Sequence, residues 1–535
     1  MPTQRLTFSE WLPDQPSVLN TIQDITNLIP LPTGYFPFPL AVDFSGASSE
    51  SLNSVYAGKF NDTIQIFSGS STKLYKYDNT TFALADVSKS GGYGGTSQWR
   101  FIQYGTRLLA WNNHDKIQAW TLGSSSAWAD VSSSAPIARH ITNVRDFVVA
   151  GYLDGGTNAN KLQWSDINDE TNWTPSTTSQ SDYQIIADGG NITGLTGGEF
   201  GLVLLERAIY RMSYIGTPLI FQFDAISRNL GCAQAGSVAQ YAENTYFLSQ
   251  DGFYVCDGHT VQAIGVEKVD RYFYKTANPT QLDTMSTAID PIKKLVIWNY
   301  PNVFGGRTML LYNWLVKKWS KIDTDVNYIS SVTTVGTSLE SIASNYIVNA
   351  GSFTVGKSYS ITTVGTTNWT AIGAASNTQG LKFTATGVGS GTGQAIDLAA
   401  MTTANRGMDS LATSLDDRLW SGGKFLFAGV RDTKIVTFTG SNDIASITIG
   451  DWETGYNAVI TLIRPQIEDG GATVSISSRK NLGDNISFGA TSDSDIWGRC
   501  SVRSSGRYHQ IKVVPTGNWT SLVSIDVETK DQGQR

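Results

Sequence analysis

The chain has 535 residues, of which 16% are charged and 11% are aromatic, and its formal net charge is −7. A chain of this length can bury one large hydrophobic core or several. The acidic balance and the lack of a basic run argue against a domain that binds nucleic acid through counterion release.

The cysteines and the N-terminus indicate neither a disulfide-rich nor a membrane protein. Cys232, Cys256 and Cys500 are odd in number, widely spaced and without a C-x-x-C pair, so we expect buried free thiols rather than a disulfide framework or a zinc site. The N-terminus lacks an apolar signal region, and no run of about 18 apolar residues occurs. We therefore expect a soluble, unprocessed protein with no membrane span.

Residues 1–45 are rich in proline, with aromatic residues near the end of the segment. Because proline removes a backbone donor and fixes φ, these residues suit an extended conformation better than a central strand. We predict an extended arm that packs through Tyr35, Phe36 and Phe38; the alternative is a flexible leader. The seven prolines are Pro2, Pro13, Pro16, Pro30, Pro32, Pro37 and Pro39.

Residues 46–344 repeat one hairpin pattern. In its clearest copy, residues 246–248 lead into Asp251-Gly252, which predicts a two-residue turn with positive φ, and residues 253–256 run back. Similar hairpins recur about every 40 to 50 residues, the period of a four-stranded propeller blade. The first unit is predicted to turn at Ser68-Gly69. The six units are centred on residues 64–77, 108–120, 147–156, 202–212, 246–256 and 295–312.

The composition changes at residues 345–396, which are rich in Thr and Gly and almost without acidic residues. We predict a small β module inserted in an exposed loop, where an insertion adds little closure entropy. As an autonomous unit it would bury its aromatic residues together, and in a ring of subunits it would point away from the axis of that ring. The aromatic residues are Tyr346, Phe353, Tyr359, Trp369 and Phe383.

Residues 397–440 are predicted to close the propeller. The apolar spacing over residues 408–419 indicates one short helix, and residues 420–427 with 434–438 form a further hairpin. Residues 441–535 alternate apolar and polar side chains, which predicts a separate antiparallel, sandwich-like β domain. The fold prediction is therefore an all-β protein: a β-propeller of six or seven blades with an inserted small β module and a C-terminal β-sandwich-like domain.

Two segments match ligand-binding patterns only formally. Gly351 to Ser358 satisfy G-x-x-x-x-G-K-[ST], but a phosphate-binding loop needs a helix directly after it, and residues 359–368 are β-branched and interrupted by glycine. Asp323-Thr-Asp325-Val-Asn327 resembles the start of a calcium loop but lacks the sixth-position glycine and the twelfth-position glutamate. We predict turns at both places.

The sequence offers no constellation of catalytic residues. His114, His140, His259 and His509 form no i, i+4 pair, so no helical zinc motif is present. The segment from Ser249 to Phe253 approaches the S-x-D-x-G-x-x-W repeat of neuraminidase-type propellers but has its glycine at the wrong position. We predict no catalytic, cofactor-binding or metal-binding residues and no enzyme activity.

Four stretches carry a family resemblance: residues 138–149 (ARHITNVRDFVV), 163–173 (QWSDINDETNW), 206–212 (ERAIYRM) continuing to 221–223, and 249–254 (SQDGFY). They resemble the tail nozzle proteins, also called packaged-DNA stabilisation proteins, of short-tailed (podovirus-type) bacteriophages. Residues 30–37 and 506–513 share the pattern. The insert resembles small Thr/Gly-rich modules of phage structural proteins.

The resemblance implies a structural virion protein built on a propeller. It implies a homo-oligomeric ring, a hexamer, at the distal end of the short tail, which retains packaged DNA and passes it during ejection. The implied partners are the tail adaptor or head-to-tail connector proteins, tail fibre or spike proteins, and DNA in the channel without sequence-specific contacts. The implied location is the virion, assembled in the host bacterial cytoplasm. No active-site residue or cofactor carries over.

A second class of function stays open, a propeller that binds, or cleaves, carbohydrate on a host surface. Exposed Trp and Tyr side chains serve either function, because aromatic residues anchor subunit interfaces and also stack on sugars. For the ring we expect a neutral to acidic lumen, because each Lys or Arg paired to phosphate would hold DNA that has to slide past.

Overall fold

The computed structural model of the chain describes residues 3–19, 21–61, 63–78, 81–95, 97–333, 347–397 and 425–531. Regular structure in these residues is almost entirely β, with one α-helix, α1 (Asp270–Thr276). Short 3-10 turns occur at Ser17–Leu19, Asp154–Gly156, Ala235–Ser237, Leu282–Thr284 and Trp369–Ile372. The helix predicted over residues 408–419 lies outside the described residues. No helix in the described ranges is long and apolar enough to cross a membrane.

The N-terminal segment is extended, as predicted, and forms five strands. Pro39 begins one of them and Pro30 lies in an edge strand, the two positions in a sheet where a missing donor is tolerated. The strands are β1 (Thr3–Thr7), β2 (Ile22–Thr26), β3 (Leu28–Leu31), β4 (Gly34–Pro37) and β5 (Pro39–Asp43).

Six consecutive antiparallel sheets of four strands follow, and each is one blade of a propeller. Blade 1 contains β6 (Leu52–Phe60), β7 (Thr63–Ser70), β8 (Leu74–Tyr77) and β9 (Leu84–Asp86); blade 2 contains β10 (Arg100–Tyr104), β11 (Arg107–Trp111), β12 (Gln118–Thr121) and β13 (Ala129–Asp130); blade 3 contains β14 (Ala138–Val144), β15 (Phe147–Leu153), β16 (Asn158–Trp164) and β17 (Asp182–Ile185). Blade 4 contains β18 (Ile192–Thr196), β19 (Gly201–Leu205), β20 (Ile209–Gly216) and β21 (Ile220–Ser227); blade 5 contains β22 (Ala239–Tyr241), β23 (Asn244–Leu248), β24 (Phe253–Cys256) and β25 (Val261–Ala263); blade 6 contains β26 (Ser286–Asp290), β27 (Leu295–Pro301), β28 (Arg307–Asn313) and β29 (Lys318–Thr324).

The seventh blade is assembled from both ends of the chain. It starts with β30 (Tyr328–Thr333), continues after the insert with β35 (Phe425–Arg431) and β36 (Lys434–Asn442), and takes β5 as its outermost strand. The first strands of blades 7 and 1 contact each other, so the seven blades form a closed propeller. The insert in between forms its own four-stranded sheet, with β31 (Ile347–Asn349), β32 (Ser358–Thr363), β33 (Lys382–Thr384) and β34 (Gln394–Asp397).

Alternating side chains in the middle strands bury both faces of each blade. In β19, Leu202 and Leu204 join the cluster shared with blade 5, whereas Val203 and Leu205 join the cluster shared with blade 3. The same division holds in β11, β15 and β27. Because successive side chains of a strand point to opposite faces, a blade between two neighbours needs a continuous apolar run. Each of the seven blade–blade contacts has one such cluster.

Two predicted turns differ in detail. The turn of blade 5 spans residues 249–252, and of the Asp251-Gly252 pair only Gly252 has positive φ, +154°. A Cβ at Gly252 would lie 2.2 Å from Oδ2 of Asp270, so the close approach of α1 explains the glycine. Ser68 and Gly69 lie inside β7, and the chain turns after them instead.

The sheet formed by the chain termini has ten strands. It combines β37 (Ser446–Ile449), β38 (Trp452–Glu468), β39 (Gly471–Arg479), β40 (Ser492–Asp493), β41 (Cys500–Thr516) and β42 (Ser521–Asp531) with β1 to β4. The antiparallel β domain predicted at the C-terminus is therefore present. The prediction that residues 1–45 and 441–535 form separate units is wrong. Strand β1 pairs with β42, from Thr3 opposite Glu528 to Thr7 opposite Ser524.

Helix α1 was not predicted, and it packs against the terminal sheet and blades 5 and 6. Val269, Phe273 and Ala277 recur every fourth residue and are all buried in the cluster that these elements share. Asp270 in its first turn is buried, and its Oδ1 accepts a hydrogen bond from the Phe253 amide at 3.1 Å. Burial raises the pKa of Asp270 to about 7.

We expect the substitution Phe38→Ala to destabilise the propeller at its closure. Phe38 is 3% exposed, and its ring lies 6.2 Å from that of Phe427 and 5.2 Å from that of Phe438, both in blade 7. Loss of a buried phenyl ring costs about 3–5 kcal/mol, measurable as a lower urea midpoint. Leu40→Ala, at a 41% exposed position two residues on, is the control. Equal effects of the two substitutions would contradict this packing.

We expect deletion of residues 345–396, replaced by a short Gly-Ser linker, to leave the propeller folded. The insert has its own core, which contains Phe353, Tyr359, Trp369 and Phe383 and no residue from outside 347–397; the fifth aromatic, Tyr346, lies outside the described residues. The deletion variant should keep the thermal unfolding midpoint of the full chain. Loss of soluble protein would show that the segment is part of the propeller.

Candidate functional site: the axial cavity

The first strands of all seven blades face a common axis and enclose a set of adjoining cavities. Cavities of about 280, 140 and 200 Å³ share Arg100 as a lining residue. A fourth, of about 380 Å³, shares Tyr56 and Val238 with the first. We call this set the axial cavity. Each first strand contributes to it, through Tyr56, Arg100, His140, Gly194, Gln240, Thr287 and Ser330.

Arg100 is the central cation of the axial cavity. It begins β10, where its backbone lies opposite Trp111. Its guanidinium makes no hydrogen bond or ion pair with any described side chain or carbonyl. Burial, and then the charge of Arg139, lower the pKa of Arg100. Burial raises the pKa of Tyr328, so its phenol is neutral at pH 7.

Arg139 and His140, on β14, lie next to Arg100. The guanidinium carbon of Arg139 lies 5.2 Å from the ring centre of Tyr152, and within the described chain this guanidinium has no hydrogen-bonding partner. His140 is 3% exposed, and its Nε2 has no hydrogen-bond partner among the described residues. Burial, and then the charges of Arg100 and Arg139, hold the pKa of His140 well below its usual range. His140 is therefore neutral at pH 7.

Acidic groups are scarce around these cations. Of the residues that line the axial cavity, Asp283 is the one carboxylate, and it is exposed at the end where Arg139 lies. A further cation, Arg307, donates to Thr284 O at 3.0 Å and to Asn299 Oδ1 at 3.1 Å. Its burial lowers the pKa of Arg307 to about 10. The axial cavity thus presents positive charge and neutral donors.

No local sequence signal marks this site. Arg139 and His140 lie in the stretch quoted for the family resemblance, but nothing in their local spacing indicates a site. Arg100 shares one cavity with Arg139 and another with His140, because β10 and β14 are the first strands of successive blades. A search for charged residues at this one position of each blade would have found the site.

The four histidines do not converge. Nε2 of His259 lies 2.8 Å from Nη1 of Arg211, Nδ1 of His114 lies 3.6 Å from Asp115, and Nδ1 of His509 lies 2.8 Å from Oγ of Ser478. Among the residues the structure describes, no group of three or more His, Cys, Asp or Glu is placed to hold a metal ion. The three cysteines are free and buried, as predicted.

The two formal motif matches lie in different local structures. After the glycine-rich segment, β32 begins at Ser358, and Nζ of Lys357 pairs with Oδ2 of Asp397 at 3.0 Å. No helix N-terminus follows that could bind a phosphate group. In the calcium-like segment, Asp325 pairs with Arg431 at 3.1 Å, and the Asp323 amide donates to Asn27 Oδ1 at 3.0 Å. The prediction of a turn is confirmed for the glycine-rich segment, whereas Asp323 lies in β29 and residues 325–327 form the short connection to β30.

Comparisons with known proteins show a likeness of fold alone. No protein-family model and no curated protein matches the chain. Among solved structures it is similar to a computationally designed protein (12% identity, 54% of this chain and 93% of that chain, TM-score 0.33). It is similar at the same level to a chain of the mitotic checkpoint complex (10%, 55% and 88%, 0.34) and to the Pan2 WD40 domain of Neurospora crassa (8%, 54% and 88%, 0.33). The closed series of seven four-stranded sheets defines the class of fold, an all-β propeller protein.

We expect the substitution Lys357→Ala to have little effect on the protein. The side chain of Lys357 is 51% exposed, and exposed ion pairs contribute at most about 1 kcal/mol to the free energy of unfolding. Calorimetric titration with magnesium ATP should detect no binding by the native chain or the variant. Lys382→Ala, at an exposed position on β33, is the matched control. ATP binding that only Lys357→Ala abolishes would show a working phosphate loop.

Proposed function

We propose that this protein is a structural virion protein, a tail nozzle subunit that forms a ring-shaped conduit at the distal end of a short phage tail. In this proposal the ring is a hexamer, contacts the tail adaptor and fibre or spike proteins, retains packaged DNA and passes it during ejection. The proposal does not assign enzyme activity. It is supported by the family resemblance, whose stretches lie in blades 3 to 5 and in the terminal sheet, and by one surface feature.

That feature is the connection between β39 and β41, residues 480–499, which we call the apolar connection. Ile496 is 92% exposed and Trp497 is 66% exposed, and three further large apolar side chains are also exposed. No other connection between strands in the described ranges exposes as many. Exposed apolar groups in such numbers mark protein interaction sites, and aromatic side chains contribute strongly there. The three further residues are Leu482, Ile486 and Phe488.

A second copy of this chain is the partner that we assign to the apolar connection. Closed rings of identical subunits need a surface on each copy that docks on a different surface of the next copy. The connection also carries an Arg499–Asp495 ion pair at 2.8 Å, so charges of both signs border the apolar side chains. An apolar centre with a polar rim is the usual organisation of an interface.

The mass of the native chain in solution tests the proposal. We expect light scattering after size exclusion to give about six times the 58.0 kDa of one chain. The double substitution Ile496→Ser and Trp497→Ser should shift this mass towards the monomer, because it removes apolar area that a neighbour would bury. Phe304→Ser, at an 83% exposed position between β27 and β28, is the matched control and should keep the ring.

Two results would contradict the proposal. A native chain that is monomeric and binds glycans would favour the alternative of a carbohydrate-binding propeller. A ring that the double substitution leaves intact would place the subunit interface elsewhere.

The prediction of a neutral to acidic lumen concerns the assembled ring and stays a prediction; electron microscopy of the particle would test it. The axial cavity of one subunit is a different space.

A further inference from the structure

We propose that the axial cavity binds the oxyanion group of a small molecule, a phosphate or a carboxylate, between Arg100 and Arg139. This site goes beyond the proposed function and does not depend on it. The ring would be formed by outer surfaces of the subunits, whereas this site lies inside each propeller.

The first argument is the unpaired state of the two guanidinium groups. Arg100 and Arg139 are both partly buried. A cation that is partly removed from water is commonly paired with a carboxylate, because its lost hydration is then compensated. Neither Arg100 nor Arg139 has an acidic partner in the described chain, although the net charge of the protein is −7. The planar guanidinium offers parallel donors whose spacing matches the oxygens of carboxylate and phosphate. An oxyanion would satisfy both groups together.

The two arginines also share one cavity. Arg100 and Arg139 both line the cavity of about 140 Å³, together with the amide side chains of Asn112 and Asn113. His140 lines the cavity of about 200 Å³ together with Arg100. Its Nε2 is buried, so His140 packs beside the site and does not donate to the anion.

The size of the cavity decides the class of ligand. Small-molecule sites typically have volumes of about 300 to 1,000 Å³. The two larger adjoining cavities on the axis, of about 280 and 380 Å³, have room for such a ligand and none for a DNA duplex. Their walls also carry neutral groups that can hydrogen bond to the rest of a ligand, among them Gln98, Thr287 and Ser330.

The remaining acid near the site does not oppose binding strongly. Asp283 lines the cavity of about 140 Å³ that the two arginines share, but it is exposed and forms no ion pair with Arg100 or Arg139. Water screens an exposed carboxylate far better than a buried one. Water alone could instead solvate the guanidinium groups, and a binding measurement distinguishes this from an anion site.

The test is calorimetric titration of the full chain with inorganic phosphate and, separately, with succinate. Sodium chloride keeps the ionic strength constant, so general screening does not change. We expect at least one of the two anions to bind with a dissociation constant of about 1 mM or tighter. The anion that binds more tightly identifies the chemistry of the natural ligand as phosphate or carboxylate.

Arginine variants locate the site. Arg100→Gln should weaken binding at least about tenfold, because it removes the central charge and keeps a donor. Arg139→Gln provides a second variant if the first does not fold, which the thermal unfolding curve would show. Arg228→Gln is the matched control, since Arg228 is 65% exposed and pairs with Asp188 at 2.9 Å away from the axis.

Two outcomes would overturn the proposal. One is that neither anion binds the folded native chain. The other is that an anion binds with equal affinity to the native chain, to Arg100→Gln and to Arg139→Gln. Both outcomes can be read on the monomer or on the ring, so a failure here is distinguishable from a failure of the proposed ring.

Discussion

Packing between neighbouring blades is the constraint on which the rest of this structure depends. Each blade sends alternate side chains of its middle strands to two different neighbours, as Leu202 and Val203 do in β19. A single blade therefore has two apolar faces that it cannot bury alone. Every face is covered only when the propeller closes, and β5 completes blade 7 as its outer strand, with Ala41 packed against the cluster that blade 7 shares with blade 6.

Closure by β5 brings the two ends of the chain together and thereby determines where the terminal sheet forms. The strands before β5 and those after β36 pair in one sheet, which packs on α1 and on blades 5 and 6. A buried ion pair between Arg479 and Asp451 lies in this sheet, and Ser17 donates to the same Asp451 at 2.5 Å. Removal of one member of a buried ion pair lowers the free energy of unfolding by more than the intact pair contributes to it. This contact therefore favours the strand register in which Arg479 and Asp451 are paired.

Local features of the fold could be predicted from the sequence, and features that depend on distant pairing could not. Apolar runs such as residues 202–205, bounded by turn residues, indicate strands buried on both faces, and their recurrence predicts the blades. The pairing of Thr3 with Glu528 leaves no local signal, because a register between segments 525 residues apart depends on the closed ring. Helix α1 has only seven residues and three aromatic side chains, so propensity alone does not indicate it.

The same geometry explains why the axial cavity is basic in an acidic protein. Every first strand contributes a side chain or backbone to the axial cavity, so a charged residue in the first strand of one blade lies close to the first strands of the next blades. Arg100 and His140 occupy this position in blades 2 and 3, and Arg139 is adjacent. The charges of Arg100 and Arg139 repel each other, so Arg139 lowers the pKa of Arg100, and both arginines lower the pKa of the neutral His140. Closure of the ring enforces this repulsion, and an anion on the axis is the simplest way to relieve it.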